Sequence, residues 1–252
     1  YFRAGADKVS IGSEAVYAVE QLLARANEAG DTSGDPVAAP AAALRGDTGI
    51  EQIAHAYGVQ AVVVSVDPKR VYVESAEAAG VHAPSVVSGP DERPETRGQP
   101  VSWWYKCTVK GGREERDVDV VQIARGVERL GAGELLVNSI DRDGSHAGFD
   151  VQLVDLVRSS VSIPVVASSG AGCADHFCEV FAPRPGAQGA PIEAALAAGI
   201  FHREQVSIAS VKLDVQALGI LCDMHSFTVI ASITNSKCDF KGANPTHNNN
   251  LN

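Results

Sequence analysis

The 252-residue chain lacks a surplus of positive charge: 21 Lys and Arg face 31 Asp and Glu, a formal net charge of -10. Nucleic acid is excluded as a partner on that ground, because no basic excess exists to neutralise its phosphates, although local amide groups can still hold one small phosphate. The five cysteines, Cys107, Cys173, Cys178, Cys222 and Cys238, are odd in number and include no CxxC pair. Neither a zinc site nor a disulfide framework is therefore indicated, and a reducing, cytoplasmic setting is the default. The seven histidines show no ligand spacing and read as surface or packing residues; no metal and no cofactor is expected. No apolar run reaches the length of a membrane span and no signal peptide is visible, so no membrane association is expected. What the chain does have is 45% hydrophobic content, enough for a sizeable core in one large domain or two small ones.

One stretch organises the rest, AVVVSVDPKR at 61–70. Its nearly unbroken β-branched run reads as a parallel strand buried on both faces, stopped by an aspartate, a proline and two cations. Ligands and catalysis gather at the carboxyl ends of such strands. Asp67 is therefore the first candidate for chemistry; capping the strand or opening the turn at Pro68 is its alternative role.

Ahead of that stretch, DKVSI at 7–11 reads as a short strand closing on Gly12 and Ser13. Ser13 is placed to cap a helix over 14–27 with Val16, Val19, Leu22 and Leu23 on one face. Backbone N–H groups at that helix start can receive a phosphate, or form a plain capping turn. Residues 30–47, rich in Gly, Ala, Pro and Asp, read as a surface insertion, and a helix over 49–57 leads through Gly58 into the organising strand. After Arg70, residues 71–74 pair with WWYKCTV at 103–109 as an inserted hairpin. Its aromatics either stack on a ligand or pack within the hairpin, and packing is the simpler account.

A helix over 117–130 precedes ELLVNSI at 134–140, a strand that again ends in acids and a glycine: Asp141, Arg142, Asp143, Gly144. A helix over 151–157 and a strand over 163–167 follow. That strand ends in Ser168, Ser169, Gly170, Ala171 and Gly172, small residues that let a backbone approach an anion or simply turn tightly into a helix over 174–181. IEAALAA at 192–198 then meets Gly199 and a short helical turn, the arrangement with which a (β/α)8 barrel binds phosphate at its last loops. Beyond about 218 no period is defensible, and 219–252 is expected to be a disordered or non-native tail.

The count is five βα units, too few for the eight-stranded barrel these strand ends imply. A fragment is expected, with Tyr1 a cut rather than a natural start. The blocks GADKVSIGSEAV, QAVVVSVDPKR, KGGRE, GAGELLVNSIDRDGSHAGFD, IPVVASSGAG and AALAAGIFH resemble the cyclase part of imidazole glycerol phosphate synthase from its fourth barrel strand onward. The insertions and WWYKCTVKGGRE are more similar to the eukaryotic form, in which a glutaminase is fused ahead of the cyclase. Residues 1–218 then form the C-terminal part of a cyclase (β/α)8 TIM barrel.

The resemblance implies a lyase of histidine biosynthesis. Ammonia released from glutamine and a ribulosyl-phosphate precursor would yield imidazole glycerol phosphate and an aminoimidazole carboxamide ribotide. It implies that Asp67 is a general acid/base, and that Asn138, Asp143 and Gly144 line the substrate cleft. Ser168, Ser169, Gly170, Ala198 and Gly199 would form one phosphate clamp, with Gly12 and Ser13 half of the other. Lys8 and Glu134 match the ammonia gate, with Gln60 facing the glutaminase. The partners implied are a phosphorylated small molecule and that glutaminase. The second catalytic aspartate and a glycine-rich loop belong to family strands not found in this chain, so the chain alone is expected to be inactive. APRPGAQGAP at 182–191 and the tail depart from the family pattern. A sister phosphoribosyl isomerase of the same pathway and a non-catalytic phosphate-binding half-barrel are the competing readings; SIDRDG and VDPKR resemble the cyclase more.

Overall fold

The computed structural model describes residues 1–93, 95–182 and 192–220. In chain order these form β1 (Val9–Ile11), α1 (Ser13–Glu28), α2 (Gly49–Tyr57), β2 (Val62–Val73), β3 (Val87–Pro90), β4 (Pro100–Val109), β5 (Glu114–Asp119), α3 (Val120–Leu130), β6 (Glu134–Asn138), α4 (Val151–Ser160), β7 (Val165–Ser168), α5 (Ala174–Phe181), β8 (Ala194–Leu196), α6 (Gly199–His202) and α7 (Ile208–Ala217). Strands β1, β2, β6, β7 and β8 are hydrogen-bonded in that order, each parallel to its neighbour. Five parallel strands with helical crossovers make a partial (β/α)8 barrel, as the strand count predicts.

β2 changes partners along its length. Val62 to Val66 lie parallel to β1 and β6, whereas Asp67 to Val73 pair antiparallel with β4, Asp67 opposite Thr108 and Val73 opposite Ser102. The inserted hairpin is therefore a continuation of a barrel strand, and β3 and β5 pair with β4 to widen it into an antiparallel layer. β2 is buried on one face rather than two: Val62, Val64 and Val66 are buried, while Val63, Ser65 and Asp67 are half-buried. Its second face looks across the open side of a sheet that five strands do not close.

The larger core packs β2, β4 and β6 against α1 and α3 through Val64, Tyr105, Leu135, Leu22 and Ile123; a smaller one gathers Phe149, Phe177, Ile200 and Val215 beside β7. The 30–47 insertion joins the larger core through Ala39 and Ala43, and Arg129 Nη2 donates to Ala39 O at 2.6 Å. The hairpin aromatics pack rather than wait for a ligand. Trp103 and Tyr105 are buried beneath the Arg70 guanidinium, and Trp104 stacks on His82 at 4.0 Å.

Local chemistry sets the helix starts. Thr48 and Glu51 form a capping box at α2, and Asp119 and Gln122 form one at α3. Residues 117–119 complete β5 instead of opening the helix. Ser13 does not cap α1: Gly12 is the N-cap residue, and Ser13 Oγ instead accepts the Lys110 backbone N–H at 2.8 Å. His82 is one of the packing histidines the sequence suggests, stacked on Trp104. It is buried, with Nδ1 2.9 Å from Asp119 Oδ2 and Nε2 3.4 Å from Asp117 Oδ1. α7, capped by Ser207, lies beyond anything the periodicity showed. Residues 183–191 and 221–252, which include most of the APRPGAQGAP stretch and all but the first two residues of the expected tail, with Cys222 and Cys238, lie outside the described residues. Among the described residues no helix is long and apolar enough to cross a membrane.

Candidate active site

A cleft of about 800 Å3 opens at the carboxyl ends of β2, β6, β7 and β8. Sheet register lays out its floor. Val66 is opposite Val137, so Asp67 is beside Asn138; Asn138 is opposite Ser168, and Ser168 is opposite Leu196. These four strand-end residues form one row across the sheet, and all four line the cleft.

Asp67 is held from two sides. Asn138 Nδ2 donates to Asp67 Oδ1 at 3.0 Å and to Ser65 Oγ at 2.9 Å, while Thr108 Oγ1 donates to the Asp67 carbonyl at 2.8 Å. Among the described residues Oδ2 carries no hydrogen bond. A carboxylate fixed through one oxygen, with the other open to a cleft, can accept and return a proton.

The far side of the cleft is backbone. Ser169 and Gly170 both have positive φ, 75° and 95°, after β7. At Gly170 a side chain is impossible: a Cβ would fall 2.1 Å from Gly148 O, and the Gly148 N–H donates to Gly170 O at 2.9 Å. Ala198 and Gly199 follow β8 immediately alongside, because Ser168 and Leu196 are register partners. Two small-residue loops thus face each other across a gap where an anion can meet backbone N–H groups.

Behind the Asp67 wall lies a buried charge cluster built on Asp150, the N-cap of α4. Its Oδ2 accepts from Arg70 Nε (3.1 Å), Arg70 Nη2 (2.8 Å) and Ser139 Oγ (3.3 Å); its Oδ1 accepts from Tyr105 OH (2.9 Å) and Leu153 N (3.3 Å). Burial works against the Arg70 charge, but Asp150, with Tyr105 and Glu92, more than offsets it and keeps the guanidinium protonated. Burial, reinforced by Asp150, pushes the Tyr105 phenol up, so it stays a donor. The Arg70 backbone N–H also donates to Asp141 Oδ2 at 2.8 Å. Hairpin, α4 and the 139–149 loop are locked together through these bonds.

Asp67, Asn138, Asp143, Gly144, Ser168, Ser169, Gly170, Ala198 and Gly199 therefore come together in one cleft. Gly12 and Ser13 do not line it. They lie at the carboxyl end of β1, joined to the cleft through Lys110, whose neighbours Gly111 and Gly112 do line it. Lys8 and Glu134 sit at the opposite, amino ends of β1 and β6, where Lys8 Nζ pairs with Glu134 Oε2. Gln60 is exposed near that end and donates to Tyr57 O at 3.0 Å. Among the lining residues that sequence reading did not name as site members are Gly111, Gly112, His146 and Arg203. The glycines stand inside the KGGRE block, which was the available signal; His146 and Arg203 had none beyond lying in the SIDRDGSHAGFD block and just after the final GIFH.

This architecture and cleft are those of a partial (β/α)8 barrel with its ligand face at the strand carboxyl ends. Residues 33–207 match the family described as histidine biosynthesis protein, and the chain belongs to that family. It is 50% identical over 212 residues to the imidazole glycerol phosphate synthase hisHF of Schizosaccharomyces pombe, covering 84% of this chain and 34% of that protein. The chloroplastic hisHF of Arabidopsis thaliana is 46% identical over 216 residues, 86% of this chain and 32% of that protein. The subunit HisF of Natronomonas pharaonis is 40% identical over 218 residues, 86% of this chain and 62% of that protein. The chain spans about a third of the length of the hisHF relatives.

Proposed function

We propose that this chain carries much of the cyclase site of an imidazole glycerol phosphate synthase, a lyase acting on ammonia and a ribulosyl-phosphate precursor. The observation that carries the reading is the row Asp67, Asn138, Ser168 across the strand ends: a carboxylate with one open oxygen, an amide that orients it, and an anion loop beside them. Asp67 would move protons during imine formation, cleavage and ring closure. Asn138, Asp143 and Gly144 would line the substrate, Ser168 to Gly170 with Ala198 and Gly199 would hold one phosphate, and Gly12 with Ser13 would contribute to a second clamp. Lys8 and Glu134 would gate ammonia arriving from a glutaminase that docks at the amino ends near Gln60. The cysteine usage favours a cytoplasmic setting, although the Arabidopsis relative is named as chloroplastic.

Five parallel strands are described against the eight of a closed barrel, so turnover by this chain alone is expected to be minimal. Co-expression with a segment supplying the remaining strands should bring ammonia-dependent turnover. In that complemented enzyme Asp67→Asn should lower turnover about 10²–10⁴-fold with substrate affinity nearly unchanged. An unimpaired variant, or simple isomerisation of the precursor in place of cyclisation, would overturn the reading.

A further inference from the structure

The anion end of the cleft holds a cation that no motif announces. Arg203 lines the cleft, and its backbone N–H donates to Gly199 O at 3.0 Å. Its side chain folds back over the turn: a Cβ placed on Gly199 would fall 2.9 Å from both Nη1 and Nη2. Within the described residues no carboxylate is among the polar partners of the guanidinium. Nε donates to Gln205 Oε1 at 3.2 Å, and Nη2 lies 3.4 Å from His146 Nε2, which must accept because a guanidinium has no acceptor.

Arg25, Arg70, Arg116 and Arg142 each meet a carboxylate. Arg203 meets none among the described residues. In a chain of net charge -10, this leaves an unneutralised guanidinium directly beside two small-residue loops. His146 reaches it from the opposite wall, the loop after β6, with φ 56° and its carbonyl packed so closely on Gly172 that a Cβ there would fall 2.5 Å away. The contact between Arg203 and His146 joins the turn after β8, at Gly199, to the loop after β6, at Gly172, within the same cleft.

We infer that Arg203 is a specificity residue of this site, supplying the positive charge that selects a phosphate monoester over an uncharged sugar, with His146 as the positioning residue that holds the guanidinium over the gap. The inference rests on the reading of Ser168 to Gly170 and Ala198 to Gly199 as phosphate loops, and adds to it the source of charge selectivity. Backbone amides hold an oxyanion by direction alone; a guanidinium adds full charge and a two-pronged donor geometry matched to phosphate.

The test is calorimetric titration of the full chain with ribose 5-phosphate, with ribose as the uncharged control. The chain should bind the phosphate ester and not ribose. Arg203→Gln should weaken that binding about ten- to a hundredfold, and Arg203→Lys should recover part of it by restoring charge without the fork. His146→Ala should weaken binding a fewfold, and His146→Asn, which keeps an acceptor, should recover it. Affinity should also fall more steeply with salt in the parent chain than in Arg203→Gln, a difference that loss of packing alone would not produce. Arg203 is exposed, and circular dichroism checks that each variant is folded. Equal affinity and equal salt slope in Arg203→Gln would overturn the inference while leaving the phosphate reading intact. Failure of the parent chain to prefer ribose 5-phosphate over ribose would overturn both.

Discussion

Two ion pairs sit at opposite ends of the same parallel strands, in opposite surroundings. The Arg70 and Asp150 side chains, behind the cleft, are 3% and 1% exposed; those of Lys8 and Glu134, at the amino ends, are 50% and 17% exposed. Burial makes the first pair costly to assemble and costlier still to break, and the five donors converging on Asp150 are what make it tolerable. Such a pair contributes geometry: it fixes Ser139 next to Asn138, and so the partner of Asp67. The exposed pair contributes little to stability and separates easily in water. That suits a gate and would be useless as a brace.

The contrast can be broken most directly at Asp150. Asp150→Ala leaves Arg70 buried without its carboxylate, and urea unfolding should record a loss of about 3–5 kcal/mol. A loss below about 1 kcal/mol would mean that the cluster is not what braces that end. Next comes the anion loop on the facing wall, where Gly170→Asp should abolish ribose 5-phosphate binding by setting a carboxylate against the phosphate and a Cβ against Gly148 O. Unchanged affinity would remove the loop from the site.

A third, smaller effect depends on pH. Burial alone would lower the His82 pKa, but its bonds to Asp119 and Asp117 win and raise it. Stability from this pair is then complete below the unfolded value of about 6.5 and is lost as pH rises through the raised folded value. Urea midpoints at pH 6 and pH 9 should therefore differ more in the parent chain than in His82→Gln. An equal difference in both would show that His82 does not titrate with folding. The smallest effect on stability belongs to Lys8→Met, under about 1 kcal/mol. Its signature should instead be a changed ratio of glutamine-driven to ammonia-driven turnover in the complemented enzyme, and an unchanged ratio would leave the pair a plain surface contact.

Much of the framework was legible because its signals are local. The strands are apolar runs stopped by acids or small residues, and α2 and α5 begin and end where the periodicity put them. β3 and β5 were not legible, since VSGP and EERDVD carry no apolar alternation and owe their extension to pairing with β4. α7 escaped for a related reason: only Val211 and Val215 bury, and Leu213 is 57% exposed. In the site, strand-end residues could be read because each follows a recognisable strand. Asp150, His146 and Arg203 could not. Their importance comes from partners far along the chain, 80 residues for Asp150 with Arg70 and 57 for Arg203 with His146.

β2 bears on how this protein can diverge. A single backbone belongs to the barrel up to Val66 and to the antiparallel ribbon from Asp67 onward, which puts the carboxylate at a fulcrum. The antiparallel strands β3, β4 and β5 hang from the far arm. Segments between β2 and β4 can lengthen, shorten or change composition without shifting Asp67, because the Thr108 and Asn138 bonds clamp the strand at the fulcrum itself. The ribbon is consequently the place where this fold can absorb new sequence, and with it new neighbours, while the strand-end geometry around Asp67 stays inherited.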